Sequence, residues 1–171
     1  MTGPPGAGKT TVARPLSAHF DRAVHLESDF FFRSISAGYL QPWKPESHGQ
    51  NASVMEIVAG VAVGYADAGY FTIVEGIFAP RWFLEPVRDA LRTAGHGVAC
   101  AVLQASLATC MTRLSQRGAA DLPDANVIEQ LWLEFVELGG LESHTIDGDT
   151  IDAESSVAEI LTRLRAGELA I

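Results

Sequence analysis

The 171-residue chain is 47% hydrophobic and 19% charged, a composition that excludes a disordered protein and, with no apolar run near eighteen residues, a membrane span. Its length suits one domain able to bury a core. A formal net charge of -9, with twelve basic residues scattered rather than gathered into a stripe, argues against a nucleic-acid partner and for a small polar substrate.

The first element is a loop. Gly3, Gly8, Lys9 and Thr10 in "GPPGAGKT" meet the pattern G-x-x-x-x-G-K-[ST], the most specific signal in the chain. Glycines let a backbone wrap an anion with no Cβ in the way, so the amides of Gly6, Ala7, Gly8, Lys9 and Thr10 can turn toward phosphate oxygens. Pro4 and Pro5 lack amides but occupy the half of the loop that need not donate. The positive end of the helix that follows favours the same anion. Lys9 is expected to bridge the β and γ phosphates of a nucleoside triphosphate and the Thr10 hydroxyl to bind Mg²⁺. Gly3, Pro5 and Thr11 complete the nucleotide-binding set.

Beyond the loop, five apolar runs alternate with amphipathic or polar stretches in the manner of βαβ units, which predicts a single α/β domain with a mainly parallel sheet. A helix from Thr10 to Phe20 carries Pro15 far enough inside to bend it. A strand, Ala23 to Asp29, leads to a short helix and then an irregular segment, rich in proline and aromatics, lying over the sheet edge. Asn51 or Ser53 is expected to cap a long helix reaching about Ala68, with Gly69 just past its end. "FTIVEGI", Phe71 to Ile77, reads as a buried strand, and Pro80 as the start of a helix that ends near Ala94 before Gly95. Residues 97–105 form the next strand, and Ser106 caps a helix bearing Arg113 and Arg117 on one face, ended by Gly118. A helix from about Ala125 to Leu138 capped by Asp124, a short strand in "HTIDG" and an amphipathic helix from Asp152 to Arg165 complete the chain. Cys100 and Cys110 are expected as free thiols in a reducing cytoplasm, since the N-terminus lacks a signal-peptide pattern and no Cys or His spacing matches a zinc site.

Three groups of residues turn nucleotide binding toward a reaction. Asp29 ends the strand after the loop helix, on the sheet edge where open α/β sheets bind ligands. A carboxylate there can orient an acceptor hydroxyl and take its proton; capping the next helix is its alternative role, and position alone does not decide between them. Glu27 lies two residues earlier, on the same side of an extended strand. It is a candidate Mg²⁺ ligand with Thr10 and with Glu75, an acid inside "FTIVEGIF" that burial makes costly without a cation. A solvated strand end is the other reading of Glu75. Arg113 and Arg117 can reach a transferring phosphoryl group from a mobile lid, although one of the pair is expected to be only a solvated face. Arg33, Trp43, Lys44, His48 and Arg81 are candidates for the acceptor pocket, while Phe30 to Phe32 and Trp82 suit a core.

Through "GPPGAGKTT", "LESDFFFR" and "GYLQPWKPESHGQN" the sequence resembles small P-loop phosphotransferases, a group that includes chloramphenicol phosphotransferase, gluconate and shikimate kinases and zeta-type toxins. The last segment is also similar to uncharacterised bacterial ATP-binding proteins. The resemblance spans nearly the whole chain. It implies a three-layer α/β/α fold with sheet order 2-3-1-4-5, a base at Asp29, and lid arginines at Arg113 or Arg117. The expected domain then has a substrate-covering segment at about 30–50 and a lid at about 113–125. ATP and Mg²⁺ would serve transfer to a hydroxyl of an antibiotic, sugar or hydroxy acid, with the acceptor itself left open.

In such a fold the strand before the loop is central, yet only Met1 and Thr2 precede Gly3. A five-residue central strand makes about ten ladder bonds worth roughly 1 kcal/mol each. The strands at 71 and 97 are therefore expected to face an open slot, and further apolar residues to precede Met1 in the natural chain. The loop alone also fits a nucleotide-binding regulatory ATPase, a P-loop protein without transfer activity, or a nucleotide kinase using Arg33 and Arg81. No guanine-reading N-K-x-D segment is present, and nothing marks an oligomeric state.

Overall fold

The computed structural model describes residues 1–79, 83–116 and 124–171. Helix α1 (Lys9–Ser17) springs from the loop, with Gly8 at its N-cap in the left-handed region (φ 100°) and Val12, Ala13 and Leu16 buried along one stripe. Pro15 brings no amide to the last turn, and the helix stops at Ser17, short of Phe20. Strand β1 (Ala23–Glu27) runs directly into α2 (Ser28–Arg33), so it ends two residues before Asp29.

The irregular stretch that follows closes in a 3-10 turn, Pro45–Ser47, that winds into α3 (His48–Asp67). This start leaves neither Asn51 nor Ser53 at a cap. Asn51 is buried inside the helix, and its Nδ2 donates to Pro42 O (2.7 Å) and Ser47 Oγ (3.1 Å), tying the irregular stretch down. Gly69 and Gly95 adopt positive φ beyond α3 and α4 (Leu84–Thr93), as expected, while Pro80 lies outside the described residues.

Strand β2 (Phe71–Glu75) precedes α4, and β3 (Val102–Gln104) is shorter than its apolar run. Ser106 caps α5 (Leu107–Ser115), and Asp124 caps α6 (Ala125–Leu133). The latter ends before Leu138 because Phe135 and Leu138 leave it to pack in the core. Strand β4 (Thr145–Asp147) and α7 (Ala153–Arg165), capped by Asp152, complete the fold.

β1 pairs in parallel with β2, and β3 with β4. The first strand is vestigial: between the pairs Thr2 forms an isolated parallel bridge to both Gly76 and Val102. Its N donates to Ala101 O (2.9 Å) and its O accepts from Leu103 N (2.8 Å), while Met1 O accepts from Gly76 N (3.3 Å). The Thr2 hydroxyl adds a donor and an acceptor to Phe78 (2.9 Å each). Thr2 can bridge to both neighbours because an extended residue offers hydrogen bonds on both sides. Counting Met1–Thr2 as the first strand, the spatial order is 2-3-1-4-5, and every pairing among these strands is parallel.

Alternation along the strands divides the core between two faces. Ile73, Leu103 and Ile146 pack under α1 and α7. Leu26 and Val74 pack against α3 and α4, and Val102 against Phe135 and Leu138. The result is a three-layer α/β P-loop fold. Both cysteines are buried and free, and no described helix is long and apolar enough to cross a membrane.

Candidate active site

The loop is held against two neighbours. A Cβ on Gly3 would stand 2.2 Å from Leu103 O, and one on Gly6, whose φ is 80°, 2.5 Å from Cys110 O. Glycine is therefore demanded here by packing against β3 and α5 as well as by curvature. Ala7 N donates to Pro4 O (3.2 Å), so that amide is engaged in closing the loop. Lys9 Nζ folds back onto the carbonyls of Gly3 and Pro4 (3.0 Å each). The first amides of α1 lie at its positive end.

Thr10 and Glu75 meet where α1 starts and β2 ends. The Thr10 hydroxyl donates to Glu75 Oε1 at 2.5 Å, and Glu75 is only 5% exposed, so it is not a solvated strand end. Burial pushes its carboxyl up, but three neighbours outweigh that effect and hold it below its usual value. They are the Thr10 hydroxyl, the Lys9 ammonium and His25, whose Nε2 stands 3.6 Å from Oε1, too long for a hydrogen bond. Glu27 faces Glu75 across the ladder and pairs with the exposed Arg14 (3.3 Å). Because β1 stops at Glu27, it is His25 rather than Asp29 that shares Glu27's side of the strand.

Asp29 stands in the first turn of α2, where Glu27 occupies the cap position, so the capping role does not apply. It lines a cleft of about 570 Å³ with Thr10, Thr11, Arg14, Glu27 and Arg33. Tyr39, in the irregular stretch after α2, is exposed, and burial and then the Asp29 charge push its phenol up. Trp43, Lys44 and His48 do not line the cleft; the His48 ring lies 6.5 Å from that of Phe83. Of the aromatic run, Phe31 and Phe32 pack on the core while Phe30 is 63% exposed.

Arg113 is half-buried and committed to the backbone: Nη1 donates to Ala7 O (3.4 Å) and Nη2 to Gly148 O (2.7 Å). It thus joins the phosphate loop to the turn after β4 rather than standing free. Arg117, most of the expected lid, and Arg81 and Trp82 lie outside the described residues. A second hollow of about 480 Å³, beside Pro4 and lined by Trp132, Phe135, Asp147 and Asp149, contains none of the residues expected to act.

The donors at the loop suit a hard divalent cation: a hydroxyl at Thr10, a carboxylate at Glu27, and at Glu75 a buried Oε2 without a hydrogen-bond partner among the described residues. The loop, with its helix N-terminus and Lys9, suits a phosphate chain.

No curated protein matches the chain. Among solved structures it is similar to an unliganded sugar kinase from Janibacter sp. HTCC2649, with 21% identity and a TM-score of 0.71 over 96% of this chain and 91% of that one. It is also similar to a gluconokinase from Sinorhizobium meliloti 1021, with 16% identity and a TM-score of 0.60 over 96% of this chain and 93% of that one. These likenesses carry the fold, that of the small P-loop kinases. Residues 1–137 match the AAA domain family, and the chain belongs to that family.

Proposed function

We propose that the chain is an ATP- and Mg²⁺-dependent kinase that phosphorylates a hydroxyl of a small molecule. The observation that carries this reading is the Thr10–Glu75 hydrogen bond (2.5 Å) beside a cleft that Asp29 also lines, so that a phosphate-binding end and a general base share one space. Lys9 exchanges the carbonyls of Gly3 and Pro4 for phosphate oxygens and neutralises the transferring group, while the loop amides hold the phosphate behind it. Thr10, Glu27 and Glu75 hold Mg²⁺, which when bound offsets negative charge on the phosphoryl oxygens. Asp29 orients the acceptor hydroxyl and takes its proton as the new O–P bond forms and the bond to the bridging oxygen of ATP breaks.

Arg33 contacts the acceptor, with the 30–50 segment as its cover. Arg113 braces the loop from α5, which leaves the lid cation to Arg117. The structural relatives, a sugar kinase and a gluconokinase, favour a polyhydroxylated acceptor.

ADP release is measured with antibiotics, nucleosides, sugars and hydroxy acids as acceptors, on the native chain and on Asp29→Asn. The expected result is acceptor-stimulated release in the native chain and a turnover about 10²- to 10⁴-fold lower in the variant, with ATP affinity retained. Unchanged turnover, or an equal loss of ATP binding, counts against Asp29 as base. No stimulation by any acceptor favours a regulatory ATPase.

A further inference from the structure

The ladder register sets Glu27 directly opposite Glu75 in a parallel pair. Like charges facing one another across a ladder destabilise it, and here one of them is buried, with its side chain 6% exposed. His25 precedes Glu27 by two residues and so shares its face of the sheet, with its side chain 12% exposed. Two buried polar atoms of this cluster, His25 Nε2 and Glu75 Oε2, have no hydrogen-bond partner among the described residues. A buried polar atom left so is costly, and a ligand would recover that cost. One donor atom from each of the three residues lies within 4.8 Å of the others. Donors that share an ion at about 2.1 Å in a tetrahedral site stand about 3.4 Å apart, so closure on one ion needs about 1–1.5 Å of movement.

We propose that His25, Glu27 and Glu75 form a binding site for a late first-row divalent cation, of the Zn²⁺ and Co²⁺ class, that fills in the absence of nucleotide. It shares Glu27 and Glu75 with the Mg²⁺ role above but does not depend on phosphoryl transfer. An imidazole nitrogen with two carboxylates is a donor set that Zn²⁺ and Co²⁺ take readily, whereas Mg²⁺ keeps to oxygen and to its own water. Glu75 has the capacity for it, since Oε1 accepts from Thr10 while Oε2 has no hydrogen-bond partner among the described residues. Arg14 is a weak competitor for Glu27, because its side chain is 73% exposed.

The test is a Co²⁺ titration of the untagged, nucleotide-free, full-length chain, followed by visible absorption. We expect one saturable site at least about tenfold tighter for Co²⁺ than for Mg²⁺ in competition. His25→Gln should weaken Co²⁺ binding at least about tenfold and leave Mg²⁺ binding unchanged. Absence of saturable absorption, displacement by equal Mg²⁺, or native-like Co²⁺ binding in His25→Gln overturns the proposal. If circular dichroism shows that His25→Gln does not fold, imidazole NMR of the native chain under Zn²⁺ decides: a shifted His25 ring signal supports the site and an unmoved one overturns it. Acceptor-stimulated ADP release with Mg²⁺ alone reports separately on the kinase reading, so the two can fail independently.

Discussion

The two walls of the cleft beside Thr10 are built differently. On the loop side, round Thr10, the polar side chains are engaged: Lys9 by the carbonyls of Gly3 and Pro4, Thr10 by Glu75, Arg113 by the carbonyls of Ala7 and Gly148. On the facing wall Asp29 and Arg33 are exposed, and the covering segment offers Tyr39 at 44% exposure. Fixed donors suit a phosphoryl group, whose shape and charge are the same whatever receives it. Exposed side chains on a short helix suit a partner that differs from one enzyme to the next. On this reading the fixed wall holds the phosphoryl group, while the exposed one supplies the base, Asp29, and the choice of acceptor.

Removing a fixed group should cost most. Lys9→Ala is expected to lower acceptor-dependent turnover about 10²- to 10³-fold. Its effect on urea unfolding should stay within about 1 kcal/mol, because water replaces its contacts to two carbonyls. A parallel fall in stability would mean that Lys9 is structural and would break the comparison. Next comes the backbone. Gly6→Ala must hold φ near 80° with a Cβ 2.5 Å from Cys110 O, and should destabilise the fold by about 2–4 kcal/mol. Gly38, on the facing side, has a similar φ of 74° but open space around it, so Gly38→Ala should cost only about 1–2 kcal/mol. Equal losses in urea would show the two sides to be packed alike.

A third measurement uses acid. Glu75 is held below its usual value in the fold, so as pH falls the unfolded chain takes up its proton first. The stability it contributes is fully present above the unfolded pKa, near 4.5, and is lost as pH drops through the lower folded value. The native chain should therefore lose stability more steeply below about pH 4.5 than Glu75→Gln does. Parallel curves would sink the idea that Thr10, Lys9 and His25 favour the charged form.

What the sequence made legible was local. The caps at Ser106 and Asp124 and the stops at Gly69 and Gly95 are decided within a few residues, and the loop pattern specifies its own backbone. Asn51 was misread as a cap because its true partner, Pro42 O, comes from a segment with no periodicity. That Thr2 bridges both strand pairs was not legible, because its hydrogen bonds reach Ala101 and Leu103, far along the chain. Glu75 stood out because a single acid in an apolar run is visible in one dimension. His25 carried a weaker signal, its spacing from Glu27, and acquired meaning only when the register set Glu27 against Glu75.

The smallest effect tests where the fixed wall ends. Arg14 and Glu27 are 3.3 Å apart, but the side chains are 73% and 31% exposed, so solvent screens the pair and it contributes about 0–1 kcal/mol. Arg14→Ala should leave urea unfolding within about 0.5 kcal/mol of the native chain. It should strengthen Co²⁺ binding by about two- to fivefold, the same energy now released to the ion. Weaker binding would mean that Arg14 holds Glu27 in the conformation that binds the ion, which would extend the fixed wall onto the exposed face of α1. No change would place Glu27 outside the ion's coordination and leave His25 and Glu75 to hold it.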